Sequence, residues 1–119
     1  MTAKKVTTSE FKELIQDESS LIVVDAYADW CGPCKYSSPK FEKLAQKYEG
    51  KAKFIKINVD EEVGLANSFQ IRSIPSFFIL RGNKILASTI GADVKKVESK
   101  LKKLLNEENQ KVEIVTGYQ

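Results

Sequence analysis

No histidine occurs among the 119 residues of this chain, which removes the commonest general base and metal ligand from any chemistry assigned to it. Cysteine is nearly as scarce: two residues are too few for a scaffold held by several disulfides. Long apolar runs are missing as well. Nothing approaches the roughly 20 residues of a membrane-spanning helix, and the N-terminus "MTAKKVTTSEF" lacks the apolar stretch of a signal peptide. The expectation is a cytoplasmic protein with no membrane association. Neither sign of charge dominates or clusters, because 19 basic and 16 acidic residues interleave along the chain, so no nucleic-acid footprint is expected. What is present is ordinary globular composition, 42% apolar and 29% charged, in a length that suits one domain with a single core.

Thr7 and Glu10 have capping-box spacing and Val6 is placed to pack on Phe11, so a first helix starts there, with Phe11, Leu14 and Ile15 as its apolar stripe. "QDESS" ends it, and "LIVVDAYA" is a short continuous apolar run of the kind buried parallel strands show. Phe41, Leu44, Ala45 and Tyr48 then recur at helical spacing, with Pro39 expected to kink that helix and Gly50 to close it. "AKFIKINVD" alternates as a second strand, and a short helix follows around Leu65, Ala66 and Phe69. Strand, helix, strand, helix in order implies parallel pairing with right-handed crossover. "SFFIL", the turn "RGNK" and "ILASTI" read instead as an antiparallel hairpin. Gly91 breaks its second strand, Asp93 is placed to cap a last helix, and Val94, Val97, Leu101, Leu104 and Leu105 form one stripe. Residues 1–105 make one domain on this basis. Residues 106–119 form an extension of unassigned role, in which Val112, Ile114 and Val115 suit an edge strand or a docked tail.

Both cysteines lie in "DAYADWCGPCKYSSP", two residues apart. A closed zinc site takes four ligands, and with no histidine or further cysteine only a site shared between two chains remains; no metal is expected. Redox chemistry fits better. A strand entering a helix at Trp30 to Lys35 puts Cys31 at the helix N-terminus, where unpaired amides and the helix dipole favour a thiolate, so Cys31 is the expected nucleophile. Cys34, three residues on, is within modest adjustment of disulfide distance and is the expected resolving thiol. Gly32 and Pro33 separate the two; Pro33 is tolerated in a first helical turn and stiffens the loop.

Without histidine, the proton acceptor for Cys34 must be a carboxylate or water. Asp25 is the candidate, since it interrupts the apolar run leading to the cysteines, where desolvation raises a carboxyl pKa. The alternative is a solvated strand-end acid. Lys56 on the adjoining strand is its expected partner, or else a solvated lysine at a sheet edge.

"WCGPCK" after "VVDAYAD", with "KINVD", "SIPSFFIL" and "IGA" downstream, resembles the thioredoxin family over about Val6 to Leu105. The resemblance implies an α/β thioredoxin fold, a central mixed β-sheet flanked by helices, with dithiol exchange at the end of the first core strand. Trp30 resembles the tryptophan that shapes the active-site surface. Ser73, Ile74, Pro75, Gly91 and Ala92 match the groove in which substrate backbone docks, with Pro75 matching the family's cis proline. The implied activity is reduction of disulfides in target proteins. The implied regeneration is by a thioredoxin reductase, a flavoprotein drawing on NADPH, with no cofactor bound to this monomeric chain beyond its redox-active disulfide. Tyr27 stands where a larger aromatic is frequent and Ser73 where glycine is common. A disulfide oxidase or isomerase shares the scaffold and differs in the dipeptide between the cysteines; a binding module with incidental thiols is the third reading.

Overall fold

The computed structural model describes residues 3–117, with side chains described for residues 3–108. Nine elements follow one another among the described residues: β1 (Ala3–Lys5), α1 (Thr8–Leu14), β2 (Leu21–Tyr27), α2 (Gly32–Lys47), β3 (Ala52–Asn58), α3 (Val63–Ser68), β4 (Ser76–Arg81), β5 (Lys84–Ile90) and α4 (Val94–Gly117). The strands form one mixed sheet in the order β1-β3-β2-β4-β5, with β1, β3 and β2 parallel and β4 antiparallel to both β2 and β5.

β2 explains the layering. Its side chains alternate, so Leu21 and Val23 enter one apolar cluster with Phe41 and Leu44 of α2 and Val97 and Leu101 of α4. Ile22, Val24 and Ala26 enter a second cluster on the other face, with Phe11 of α1 and Leu65 of α3. Covered on both faces, β2 has no polar alternation, which is why its sequence reads as a continuous apolar run. The same period puts Asp25 on the face of Leu21 and Val23, beneath α2.

Local signals fix the ends. Thr7 and Glu10 complete the capping box, the Asp93 side chain accepts from Lys96 N at 3.1 Å, and Gly82 opens the hairpin at φ +56, a value costly for any residue with a Cβ. Pro39 lies inside α2, where it offers no amide to the Lys35 carbonyl.

Three expectations are corrected. β1 has no counterpart in the sequence reading, because three residues are too few to show a period; it pairs with β3, and Ala3 N donates to Glu42 Oε1 at 3.0 Å. β3 is therefore interior, and Lys56 does not lie at a sheet edge. From residue 106 the backbone continues α4 to Gly117 and forms no edge strand, since no Pro or Gly interrupts "NEENQKVEIVT". The side chains of Val112, Ile114 and Val115 lie outside the described residues.

The topology brings four connections to one edge of the sheet. β2, β3 and β5 all end there and β4 begins there, so the segments holding Cys31, Asp60, Gly91 and Pro75 meet although up to about sixty residues separate them in sequence.

Candidate active site

Cys31 occupies the N-cap of α2, with φ −84 and ψ 111, and its sulfur accepts from Cys34 N at 3.2 Å. Pro33 sits in the first turn, where an amide would have no helical partner. One helical turn thus brings the two Cα atoms to 5.2 Å, and Cys31 and Cys34 are joined as a disulfide. Each is only 3% exposed, in a small cluster with Ala28 and, at its border, Tyr27, Val59 and Ile74.

The Ile74–Pro75 peptide is cis, and the Ile74 carbonyl oxygen lies 3.8 Å from Cys31 Sγ. Gly91 N donates to Pro75 O at 2.9 Å, which ties the end of β5 to the start of β4. Gly91 has φ +99, a conformation open mainly to glycine. Ser76 Oγ donates to the Ser73 carbonyl, holding Ser73 in the same turn. These bonds tie Ser73, Pro75 and Gly91 into one turn region, with the Ile74 carbonyl beside Cys31 and Ala92 next in the chain after Gly91. Trp30 is 70% exposed, yet its indole N–H donates to Asp60 Oδ2 at 2.8 Å, which fixes the ring against the segment after β3.

Asp25 is buried, and its Oδ1 has no hydrogen-bond partner among the described residues. Desolvation pushes its pKa up to about 7, with the Lys56 charge acting in the opposite sense. Lys56 is opposite Asp25 in the β2–β3 register; its Nζ donates to Ser38 Oγ at 2.9 Å and lies 4.8 Å from the Tyr27 ring centre. Asp25, Cys34, Ser38 and Lys56 line one cavity of about 300 Å³, room enough for water between the carboxyl and the sulfur. The structure therefore brings Asp25 and Lys56 to the disulfide through the cavity they share with Cys34, and the Ile74 carbonyl to Cys31.

Sequence reasoning passed over Asp60, Ser38 and Ile90. Asp60 anchors Trp30 from thirty residues away, a contact no periodicity announces. Ser38 engages Lys56 from α2, and Ile90, 74% exposed at the end of β5, adds apolar area next to Gly91. An apolar strand residue carries no sign of which way it faces; only the edge position of β5 leaves Ile90 uncovered.

The family model described as Thioredoxin matches residues 2–115. The chain belongs to the thioredoxin family. It is 41% identical over 90 residues to Thioredoxin 1 of Nostoc sp., covering 76% of this chain and 84% of that protein. The crystal structure of reduced Schistosoma mansoni thioredoxin pre-protein superposes with a TM-score of 0.80 at 32% identity, covering 87% of this chain and 98% of that one. A thioredoxin f2 solved in complex with ferredoxin:thioredoxin reductase gives a TM-score of 0.81 at 28% identity over 87% of this chain and 94% of that one. With its α/β fold and its Cys31–Cys34 disulfide, the chain is a thiol-disulfide oxidoreductase of the disulfide reductase kind. Among the described residues, no helix is long and apolar enough to cross a membrane.

Proposed function

We propose that Cys31 is the attacking thiolate and Cys34 the resolving thiol of this disulfide reductase. The observation that carries the assignment is the position of Cys31 as the N-cap of α2, with its sulfur accepting from Cys34 N. A thiolate there is stabilised by that amide and by the helix dipole. It attacks one sulfur of a target disulfide; a mixed disulfide forms and the other target sulfur leaves as a thiolate that takes up a proton. Cys34 then loses its proton and attacks Cys31 Sγ, so the second target thiol departs and the Cys31–Cys34 bond closes. Two electrons and two protons reach the target.

Asp25 is the proton acceptor for Cys34, acting across their shared cavity, and Lys56 sets how readily it ionises. Gly32 and Pro33 keep the thiols one turn apart. Target backbone docks on Ser73, Ile74, Pro75, Gly91 and Ala92, with Trp30 as the opposite wall. A thioredoxin reductase returns the electrons, and we assign the flavoprotein class that draws on NADPH, with no cofactor bound to this chain. The ferredoxin-dependent class is the second reading, favoured by the reductase partner of the similar thioredoxin f2. The chain acts as a cytoplasmic monomer.

Residues 1–105 suffice for this chemistry, and from residue 106 the backbone continues α4 to Gly117 beyond it. Among the described residues, the apolar positions of α4 that join the core end at Leu105, and the ion pair lost on truncation is Arg81–Glu108, at a partly exposed site where such pairs are weak. The reduced full chain and a chain ending at Leu105 are to be mixed with a disulfide-bonded test protein and the thiols released counted. Both should cut one disulfide per molecule, with rates agreeing within about twofold and equal circular dichroism. A tenfold loss in a folded truncated chain would make the extension part of the site, and no cleavage by the full chain would refute the thiol assignment.

A further inference from the structure

A second, larger concavity opens next to this surface and takes no part in the exchange chemistry. It has a volume of about 620 Å³ and runs between α2 and the start of α4, with Ala92 at its redox end. Its α2 wall is one helical stripe: Tyr36, Lys40, Lys43 and Lys47 stand four, three and four residues apart. At about 1.5 Å per residue that stripe is about 17 Å long, the span of roughly five extended residues. Lys95 faces it from α4.

The acids lining this groove are already occupied. Asp93 caps α4, and the Glu98 carboxylate receives Lys47 Nζ at 2.7 Å and the Tyr48 hydroxyl at 2.8 Å and lies 3.9 Å from Lys102 Nζ. Lys40, Lys43 and Lys95 are exposed and form no ion pair among the described residues. Lys40 donates to the Tyr36 hydroxyl at 2.9 Å and lies 4.4 Å from that ring's centre, while Tyr36 itself is 60% exposed. Lys40, and after it Lys95, hold the Tyr36 phenol below its ordinary pKa, so cations from both walls act on one point.

We infer that the α2–α4 groove docks an acidic segment of the protein whose disulfide is reduced, and so selects targets that carry Asp or Glu within about five residues of the reactive cysteine. Protein targets are the occupant, rather than free anions, because the groove shares Ala92 with the surface where target backbone docks. The inference rests on the reductase function and names its target class.

Its test compares two disulfide-bonded peptides of equal length, identical except that residues flanking the reactive cysteine are Asp and Glu in one and Asn and Gln in the other. kcat/KM for each is measured with the wild-type chain and with a Lys43→Glu/Lys95→Glu variant, at low salt and at about 0.5 M salt, where screening shortens the range of charge to a few ångströms. The wild type should favour the acidic peptide about tenfold at low salt, and salt or the double substitution should bring the ratio near one. Equal values for the two peptides with the wild type, or a preference that survives the double substitution, would overturn the groove assignment while leaving the reductase intact. Failure to reduce either peptide would instead overturn the reductase function, and the target class with it.

Discussion

Cys31→Ser should lower reduction of a protein disulfide by at least about a thousandfold, because the remaining thiol, Cys34, lies inside α2 without the N-cap position, and the chain has no histidine to activate it. Cys34→Ser should behave differently. Its Cys31 thiolate still attacks, but the mixed disulfide lacks the neighbour that displaces it and should persist from minutes to hours. Mass spectrometry after acid quench separates the cases: a covalent adduct with the target for Cys34→Ser, none for Cys31→Ser. The underlying difference in reactivity is measurable in the reduced wild type, where alkylation near neutral pH should label Cys31 first. Faster labelling of Cys34 would reverse the assignment, since the N-cap position acts on Cys31 alone.

Asp25→Asn has the second largest expected effect, and it moves kinetics and stability in opposite directions. The variant keeps the shape but loses the proton acceptor beside Cys34, so resolution of the mixed disulfide near pH 7 should slow by about a hundredfold. For stability, the folded-state pKa is raised from 3.8 to about 7, so the unfolded chain ionises first as pH rises. Between those values the folded state binds more protons than the unfolded state, and wild-type stability falls with pH. Below about pH 3, roughly one unit under the unfolded value, the carboxyl is neutral in both states and nothing is lost. The advantage of the variant should therefore grow across that window towards a limit of about 4 kcal/mol above pH 7, superposed on a pH-independent offset for burying an amide. Urea titrations at pH 4, 6 and 8, with single-turnover kinetics on the same protein, check both halves. Unchanged resolution with a pH-independent stability difference would make Asp25 a spectator.

Much of this site can be read in the sequence because its parts obey local rules. The capping box at Thr7, the apolar run of β2 and the spacing of Cys31 and Cys34 depend on residues within a turn or a strand of one another, and each appears in the structure where local chemistry puts it. Asp25 was legible for a related reason, as a carboxyl within an apolar run is conspicuous, and Oδ1 is indeed left without a partner among the described residues. What escaped reading depends on which strands end up adjacent. The pairing of β1 with β3 moves Lys56 from an edge to the interior, and the common end of β2 and β3 carries Asp60 to Trp30. No period in the sequence encodes either. The course of residues 106–117 was missed for a different cause: apolar spacing marks where a helix packs, not where its backbone stops.

On this account Cys31 and Cys34 form a couple poised to give electrons to target disulfides. Equilibrating the chain with a graded series of reduced and oxidised glutathione, and reading the fraction of Cys31–Cys34 disulfide after acid quench, measures that poise directly. A reductase requires a midpoint more reducing than about −230 mV, and that is the result expected here. A midpoint between about −120 and −180 mV, the range of dithiol oxidants and isomerases, would contradict it.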